Sequence, residues 1–515
     1  MRHVVVWFKR DLRIDDHRPL ATAAKRGAVS CVYFIEPEIW QAPDAATQHY
    51  QFIQESLADL RAALKEIGLT LTVLVGSATD CLTRVWQAQA FCELYSHEET
   101  GNAMTFARDK AVAHWCRTHE VRWHESPQFG VRRGRHDRDQ WHLSWRAFCA
   151  EPVTATVTAS QTRDAHIAIG EATPEALALG LADPDPAARQ RGGRTQAMRT
   201  LKAFLHSRSQ QYRGGISSPL SAPTACSRLS AYLSYGCLSI REVFQATEAH
   251  IACLPEDNKR HKLGLQSFVS RLYWHCHFIQ KLEDEPELES RNLHRGYDGL
   301  RENDWSEQRF LALVNGQTGW PLVDACIAML KHTGWLNFRM RAMLVSTAAY
   351  PLWLHWQPVG HWLARQFLDY EPGIHWSQMQ MQSGTTGINA PRVYNPIKQA
   401  RDHDPQGRFV RQWLPAMRRV PNAWLFEPWR MPANLQSEHG VIVGQDIARP
   451  IVELDLATRD AKSKLFARRG TAEVKAGKLA ILQKHGSRKR PEPRPRSMRA
   501  KSKAETQNTQ LSLDF

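Results

Sequence analysis

Short apolar runs alternate with helical stretches along the first part of the chain. Runs that predict buried strands occur at residues 4–8, 28–35, 69–75 and 91–95. The spacing of apolar positions between and after these runs predicts helices around residues 20–25, at Phe52, Leu57, Leu60 and Leu64, and over residues 107–119. This alternation predicts a doubly wound, Rossmann-like parallel sheet over residues 1–130. Ligands of such sheets bind at the carboxyl ends of the strands.

The pattern changes after this α/β domain. Residues 131–195 are rich in Arg, Gly, Ala and Pro, which predicts an interdomain connector. Helical periodicity follows, for example at Phe268, Leu272, Cys276 and Ile279, and predicts an all-helical domain over residues 196–430. We assign residues 431–483 to a C-terminal extension. The fold class is therefore α/β plus all-α.

The end of the chain has a different composition. From residue 484 to residue 515 it is dominated by Arg, Lys, Pro and Ser, which cannot bury a core. We expect a disordered basic tail there.

Composition excludes several classes of protein. The chain has 515 residues, of which 43% are hydrophobic and 23% charged, as in folded proteins of two or three domains. Its apolar stretches are shorter than the roughly 18 residues that cross a bilayer, and its start lacks the pattern of a secretory signal. We expect a cytoplasmic protein. The ten cysteines include no CxxC pair, so we expect no structural metal.

The charge balance indicates a polyanionic partner. Lys and Arg number 67 against 52 Asp and Glu, which gives a formal net charge of +15. A field of this sign concentrates nucleic acid near the surface. We therefore expect nucleic acid as a partner; association with the nucleoid and a monomeric state are separate expectations.

Two features carry candidate chemistry. Ser227 and Arg228 combine a hydroxyl with a fixed cation before a predicted helix, and such groups bind pyrophosphate at the positive end of a helix. Taken alone, such a pair is usually a helix cap with a solvated charge. The chain also contains 18 tryptophans, several of them between residues 274 and 376. Such an excess more often reflects packing than an electron pathway.

Ordered motifs resolve these alternatives. The segments that carry the resemblance are residues 6–13, 52–60, 226–230, 316–325, 333–335, 392–396 and 410–415. In sequence and spacing they resemble the photolyase/cryptochrome family. The resemblance implies FAD bound in the helical domain and a second, light-harvesting chromophore of folate or deazaflavin type on the α/β domain, whose contact residues the sequence does not assign.

The resemblance also implies a set of flavin-site residues: Tyr212, Cys226, Ser227, Arg228, Leu229, Ser230, Ser267, Arg271, Trp274, Trp335, Arg341, Asp369, Glu371 and His375. Cys226 replaces the usual threonine, which weakens one hydrogen bond. Asp369 and Glu371 fall on an acidic pair that faces the flavin. His375 falls beside the reactive ring nitrogen of the flavin, where its imidazole is expected to donate a hydrogen bond or a proton.

Other positions depart from the family. Ser267 and Ser270 stand where photolyases that repair cyclobutane dimers have Glu and Trp on the substrate side. In the electron relay only Trp356 matches, because the proximal position falls on Met379 and the outer one near Asn303. We expect reduction to use another path, through Trp353, Trp376 or Trp362.

The last six residues form a separate motif. The apolar residues Leu511, Leu513 and Phe515 follow Gln510, and the peptide resembles the one by which bacterial DNA-processing enzymes bind the sliding clamp. The alternative is an apolar terminus without function.

These observations lead to three alternative functions for the protein. The first is blue-light repair of pyrimidine dimers, by electron transfer from reduced FAD to a flipped-out lesion. The second is a cryptochrome-type photoreceptor that binds FAD without repair. The third is a flavin-containing DNA-binding protein without photochemistry. We favour repair, because the basic charge and the terminal peptide point to DNA independently of the flavin site.

Overall fold

A parallel sheet forms the N-terminal part of the molecule. The computed structural model describes residues 2–134 and 136–486. The sheet has five strands in the order β3-β2-β1-β4-β5, all parallel. The strands are β1 (His3–Phe8), β2 (Ala28–Ile35), β3 (Leu71–Val75), β4 (Glu93–His97) and β5 (Arg122–Ser126). The order reverses at β1, where doubly wound sheets bind their ligands.

Helices cover both faces of this sheet. They are α1 (Arg18–Ala24), α2 (Pro37–Trp40), α3 (Thr47–Glu66), α4 (Ala78–Ala88) and α5 (Ala103–Thr118). In β1, Val4, Val6 and Phe8 belong to the core on one face. Val5 and Trp7 belong to the core on the other face. A strand buried on both sides reads as a continuous apolar run, and the predicted doubly wound domain is confirmed.

Two elements of this region were not predicted. The edge strand β5 carries polar, partly exposed residues, so it has no apolar run to indicate it. The predicted connector contains the helix α6 (Trp141–Ala150), whose Trp141, Trp145 and Cys149 are buried. The connector is therefore part of the core rather than a loop alone.

The rest of the described chain is helical, as predicted. Its helices are α7 (Arg194–His206), α8 (Tyr212–Gly215), α9 (Ala222–Ala225), α10 (Ser230–Ser234), α11 (Ile240–Cys253), α12 (Lys259–Asp284), α13 (Glu307–Asn315), α14 (Pro321–Thr333), α15 (Phe338–Ala349), α16 (Trp356–Gln366), α17 (Pro372–Ser383), α18 (Pro396–His403), α19 (Arg408–Trp413), α20 (Ala433–Glu438), α21 (Leu454–Arg469) and α22 (Ala472–His485). Among the described residues, no helix is both long and apolar enough to cross a membrane.

The C-terminal extension packs on the helical domain. Leu465 of α21 and Val474 of α22 form one buried cluster with Tyr297, Tyr350 and Trp353. Helix α22 runs to His485, so the first two residues of the predicted tail are helical. The remainder of that tail from residue 487, with the clamp-binding-like residues Gln510, Leu511, Leu513 and Phe515, lies outside the described part of the chain.

The turn after β1 joins the two domains. Arg10 Nε donates to the Ser234 carbonyl oxygen (2.8 Å), and Arg13 Nη1 donates to the Gly236 carbonyl oxygen (2.9 Å). Gly236 has a φ of +65°, and a Cβ there would lie 2.1 Å from the Arg10 carbonyl oxygen. Glycine is required at this close approach. The loop after α10 is thereby fixed against the α/β domain.

Candidate flavin site

The phosphate motif lies in the loop between α9 and α10. Cys226 follows α9 directly and Ser230 begins α10, so Ser227 and Arg228 lie before that short helix. Arg208 supports the loop by donating to the carbonyl oxygens of Cys226 (2.7 Å) and Ser227 (3.1 Å). Arg228 has a φ of 59°. This left-handed conformation costs a non-glycine residue about 1 kcal/mol or more.

Several arginine guanidinium groups lie close to this loop. The Arg228 guanidinium lies 3.9 Å from the centre of the Trp335 ring. Burial lowers the pKa of Arg228 to about 10; Asp369 opposes this shift, whereas the neighbouring Arg341 and Arg208 add to it. These guanidinium groups outnumber the acid beside them, and such a site fits a dianion such as the pyrophosphate of FAD.

The other motif residues of this loop are buried or half-buried. Burial raises the pKa of the Cys226 thiol to about 11, so it stays protonated and offers only a weak donor. Leu229 is buried in the core. The Tyr212 ring makes edge contacts with Phe204 (5.6 Å) and Phe268 (6.0 Å) between ring centres. The Cys226 thiol is close enough to Tyr212 to act on the pKa of its phenol, so Tyr212 adjoins this loop.

Arg341 and Asp369 form the central ion pair of the site. Arg341 Nη1 and Nη2 donate to the two carboxylate oxygens of Asp369 at 2.9 and 3.0 Å. Burial raises the pKa of Asp369, but Arg341 outweighs it and the pKa lies below its ordinary value. Asp369 is thus a fixed anion that can accept N–H groups of a flavin.

Glu371 does not share this ion pair. The resemblance implied that Asp369 and Glu371 face the flavin together, but Glu371 Oε2 accepts from Arg10 Nη2 of the α/β domain (3.0 Å). Its Oε1 is buried without a partner. Burial raises the pKa of Glu371 to about 7, although Arg10 acts against this shift. Glu371 belongs to the domain boundary because the turn after β1 supplies its partner.

His375 is held as a neutral ring. Its Nε2 lies 2.9 Å from the Gly360 carbonyl oxygen, which can only accept, so Nε2 carries the proton. Burial lowers the pKa of His375 to about 4. With Nε2 bonded in this way only the lone pair of Nδ1 remains, so donation to the flavin would require this hydrogen bond to break, and the donor role of His375 stays a prediction.

Helix α12 carries the substrate-side positions along one face. Ser267, Ser270, Arg271 and Trp274 are half-buried and follow helical spacing, opposite Phe268 and the core. The Ser267 hydroxyl donates to the Leu263 carbonyl oxygen of its own helix (2.8 Å). This hydroxyl is already bonded, so it does not replace the carboxyl group that the family usually has here.

The tryptophans fall into two groups. Trp356 and Trp376 are buried, with ring centres 5.8 Å apart. Trp353 instead donates to Asp304 Oδ2 (2.9 Å) and lies under Lys464 of the C-terminal extension. Across the described residues, Trp353 has no ring contact with Trp356 or Trp376. Of the candidate relay residues, only the latter two form a pair.

A second cavity opens in the α/β domain, at the carboxyl ends of β1 and β2. It has an empty volume of about 850 Å³, counting the part open to solvent, and its lining includes Tyr33, Trp40, Asp44, Arg108 and Tyr370. This size and its mix of aromatic and charged groups suit a small planar ligand. No local sequence pattern indicates this cavity, because its lining comes from both domains.

A buried carboxylate and two imidazoles lie beneath the turn after β1. Asp11 Oδ2 accepts from His17 Nε2 (2.9 Å) and from His97 Nδ1 (2.8 Å). The three ligand atoms lie within 4.8 Å, as in a metal centre. However, His17 Nδ1 accepts the Leu20 N–H (3.1 Å), so its Nε2 carries the proton and has no lone pair for a metal. The group is a hydrogen-bonded trio that orders the turn.

Comparison with known proteins agrees with this arrangement. The family model "DNA photolyase" matches residues 4–129, and the model "FAD binding domain of DNA photolyase" matches residues 268–467. The chain is 28% identical over 479 residues to Cryptochrome DASH of Gloeobacter violaceus, covering 88% of this chain and 93% of that protein. It is 24% identical over 472 residues to a deoxyribodipyrimidine photo-lyase of Alkalihalophilus pseudofirmus, covering 87% and 94%.

Solved structures share the fold. A bacterial class III photolyase from Agrobacterium tumefaciens superposes with a TM-score of 0.78 at 23% identity, covering 92% of this chain and 98% of that one. An archaeal photolyase from Sulfolobus tokodaii, described with two FAD molecules, gives 0.72 at 21% identity, covering 90% and 100%.

The α/β domain, the helical domain and the loop of residues 226–230 with its neighbouring arginines together define a two-domain flavoprotein. FAD is the cofactor of its helical domain. The chain belongs to the photolyase/cryptochrome family.

Proposed function

We propose that the protein repairs UV-induced pyrimidine dimers in DNA with blue light, acting as a monomer in the nucleoid. When bound, reduced and excited FAD supplies the electron that splits the lesion. The observation that carries the proposal is the cluster of Arg208, Arg228 and Arg341 around the loop of residues 226–230. Arg341 and Asp369 orient the flavin, and Arg228 with the loop of residues 226–230 binds its pyrophosphate.

The rim of the site supports contact with DNA. Phe338 begins α15, three residues after Trp335, and is 51% exposed beside Arg339. An exposed ring beside a cation can stack on an unpaired base. The surplus of basic residues over the whole chain supplies phosphate contacts.

Phe338→Ala tests this contact. Stacking of one base contributes about 1–3 kcal/mol, so affinity for an oligonucleotide with one thymine dimer should fall about ten-fold. Phe466→Ala removes a ring of similar exposure on α21 and should leave the affinity unchanged. Equal loss in both variants, or none in Phe338→Ala, would contradict a lesion site at this rim. Affinity would be measured by fluorescence anisotropy at fixed salt.

The cavity of the α/β domain is where we place the second chromophore. Tyr33 and Trp40 offer ring surfaces, and Arg108 is buried among Glu36, Glu99 and Asp109. A folate or deazaflavin has the planar, polar-edged shape that such walls accommodate. Light absorbed there would reach the flavin across the domain boundary.

A photoreceptor without repair is the second candidate. The bonded hydroxyl of Ser267 and the small side chain of Ser270 favour it, since neither supplies the acid or the large ring of dimer photolyases. A photoreceptor of this kind would bind damaged and undamaged DNA equally.

The terminal peptide suggests a partner in either case. Residues 510–515 would bind the bacterial sliding clamp, at the end of a tether that raises the local concentration. Deleting these residues should abolish clamp binding in a pull-down, and unchanged binding would exclude the interaction.

A further inference from the structure

A chain of aromatic rings connects the α/β-domain cavity to the helical core. Tyr370, which lines the cavity, has its ring centre 5.2 Å from that of His375. The His375 and Trp376 rings are 4.9 Å apart, and Trp356 lies beyond them. Each contact is close to perpendicular, which is a favourable packing of aromatic rings. The rings form a continuous path between the domains.

The cavity end of this path has a proton acceptor. The Tyr370 hydroxyl donates to Asp44 Oδ2 at 2.7 Å, and Asn102 Nδ2 donates to the same oxygen at 3.2 Å. Burial raises the pKa of Tyr370 well above its ordinary value, and the Asp44 carboxylate adds to the shift. A neutral phenol hydrogen-bonded to a carboxylate can lose its proton in the same event as an electron.

The middle of this path, at His375, lies beside the predicted flavin site. Tyr370 follows Asp369 directly, and the Arg341 guanidinium that holds Asp369 lies 4.1 Å from the centre of the Phe367 ring. Phe367 in turn contacts His375 (6.2 Å between ring centres). The buried indole N–H of Trp376 lies near the Tyr370 hydroxyl but without good hydrogen-bond geometry. Tyr370 and Trp376 are therefore neighbours at the edge of this site.

We propose that Tyr370 is an electron donor in the light reaction, that Trp376 carries its electron, and that Asp44 takes its proton. The inference rests on the proposed function, because the oxidant is oxidised FAD excited by light. Trp376 gives one electron to that flavin and becomes a radical cation. Tyr370 returns one electron to Trp376, its O–H bond breaks, and the proton passes to Asp44 Oδ2. One electron has then moved from phenol to flavin, leaving a neutral tyrosyl radical and a carboxylic acid.

The surroundings of Tyr370 suit this role. Its ring stacks on His49 at 6.2 Å, and its backbone carbonyl accepts from Arg10 Nη2 at 3.2 Å. Glu289 adds negative charge nearby and favours loss of an electron.

Another tyrosine provides a matched control. The Tyr95 hydroxyl donates to Glu93, so this pair has the same chemistry. Tyr95 stacks on His124 within the α/β domain and has no ring contact with the Tyr370–Trp376 path in the described structure. Tyr95→Phe removes a buried phenol without interrupting the path.

The test traps the radical in the full-length, FAD-loaded protein. Oxidised protein from cells fed ring-deuterated tyrosine is illuminated without added reductant, frozen and examined by electron paramagnetic resonance. We expect a tyrosyl signal with deuterium-altered splitting in the wild type and in Tyr95→Phe, and none in Tyr370→Phe or Trp376→Phe. In Asp44→Asn the tyrosyl signal should form about 100-fold more slowly, because the positioned base is lost.

The outcomes separate this inference from the function on which it rests. The flavin-to-protein absorbance ratio of each variant shows whether it still binds FAD. A wild type without bound or photoreducible FAD would overturn both proposals. Photoreduction with an unchanged tyrosyl signal in Tyr370→Phe, or with a tryptophan signal alone in the wild type, would overturn this inference and leave the proposed repair function standing.

Discussion

At the scale of single residues, the site is defined by how charges are paired. Asp369 meets Arg341 through both oxygens, whereas Arg228 lies over a tryptophan ring with its pKa lowered. A buried cation whose pKa falls lacks sufficient negative charge nearby. In the proposed site the FAD pyrophosphate would supply that charge, so we expect cofactor binding and stability to be coupled.

Glu371 gives the domain boundary a pH dependence. Its pKa is raised to about 7 by burial despite Arg10, so the folded protein holds this proton more tightly than the unfolded chain. The resulting stability is fully present below the ordinary glutamate pKa and is lost as the pH rises towards 7.

Replacing Glu371 with Gln should therefore stabilise the folded protein, relative to the wild type, more at higher pH than at lower pH. Relative to the wild type, Glu371→Gln should gain about 2 kcal/mol in unfolding free energy between about pH 5 and about pH 8. Urea unfolding at both pH values measures this difference. Glu55→Gln is the control: the pKa of Glu55 is lowered, burial being outweighed by Arg189, so both conditions find it ionised. The same change in both variants would contradict the role of Glu371.

Sequence motifs predicted part of this residue-scale picture. The resemblance to the family implied residues 226–230, Arg341 and Asp369, because these positions fall in segments that match its motifs. It did not separate Glu371 from Asp369, since the partner of Glu371, Arg10, lies 361 residues away. Arg208 was missed for a similar reason. It donates to backbone carbonyl oxygens, which every residue has, so no residue type in the loop indicates the contact.

At the scale of elements, the strands that are buried on both faces could be predicted, and the partly exposed edge strand could not. The strand β1 is apolar throughout, and its pattern gave its position within one residue. The edge strand β5 has its polar side chains partly exposed, so it was missed. Helix α6 buries Trp141 and Trp145 within a segment whose composition resembles a linker. Packing of α6 on distant helices, rather than the composition of the segment, accounts for the helix.

The C-terminal extension depends on a small apolar contact. Leu465 of α21 is fully buried against the helical domain, while the adjacent Phe466 is 54% exposed. Leu465→Ala should lower the unfolding free energy by about 2–5 kcal/mol, because it leaves a cavity. Phe466→Ala should change it by about 0.5 kcal/mol or less. Denaturant unfolding of the two variants compares them, and similar effects would contradict the docking of α21.

At the scale of the whole molecule, the domain boundary places the α/β-domain cavity, our proposed chromophore site, next to the FAD-binding domain. The turn after β1 bonds to the loop after α10, and Tyr370 of the helical domain lines the α/β cavity. The sequence predicted both domains and the FAD site, but not this shared wall. Long-range contacts of this kind depend on how the domains dock, which residue patterns within each domain do not record.

Repair of a defined lesion tests the central claim most directly. The purified protein, chemically reduced and loaded with FAD, is mixed with an oligonucleotide that contains one thymine cyclobutane dimer and is illuminated with blue light. We predict recovery of thymine absorbance under light, none in the dark, and none for a sample stripped of FAD. Bound, photoreducible FAD with no recovery from this dimer or from a (6-4) lesion would contradict repair and support the photoreceptor.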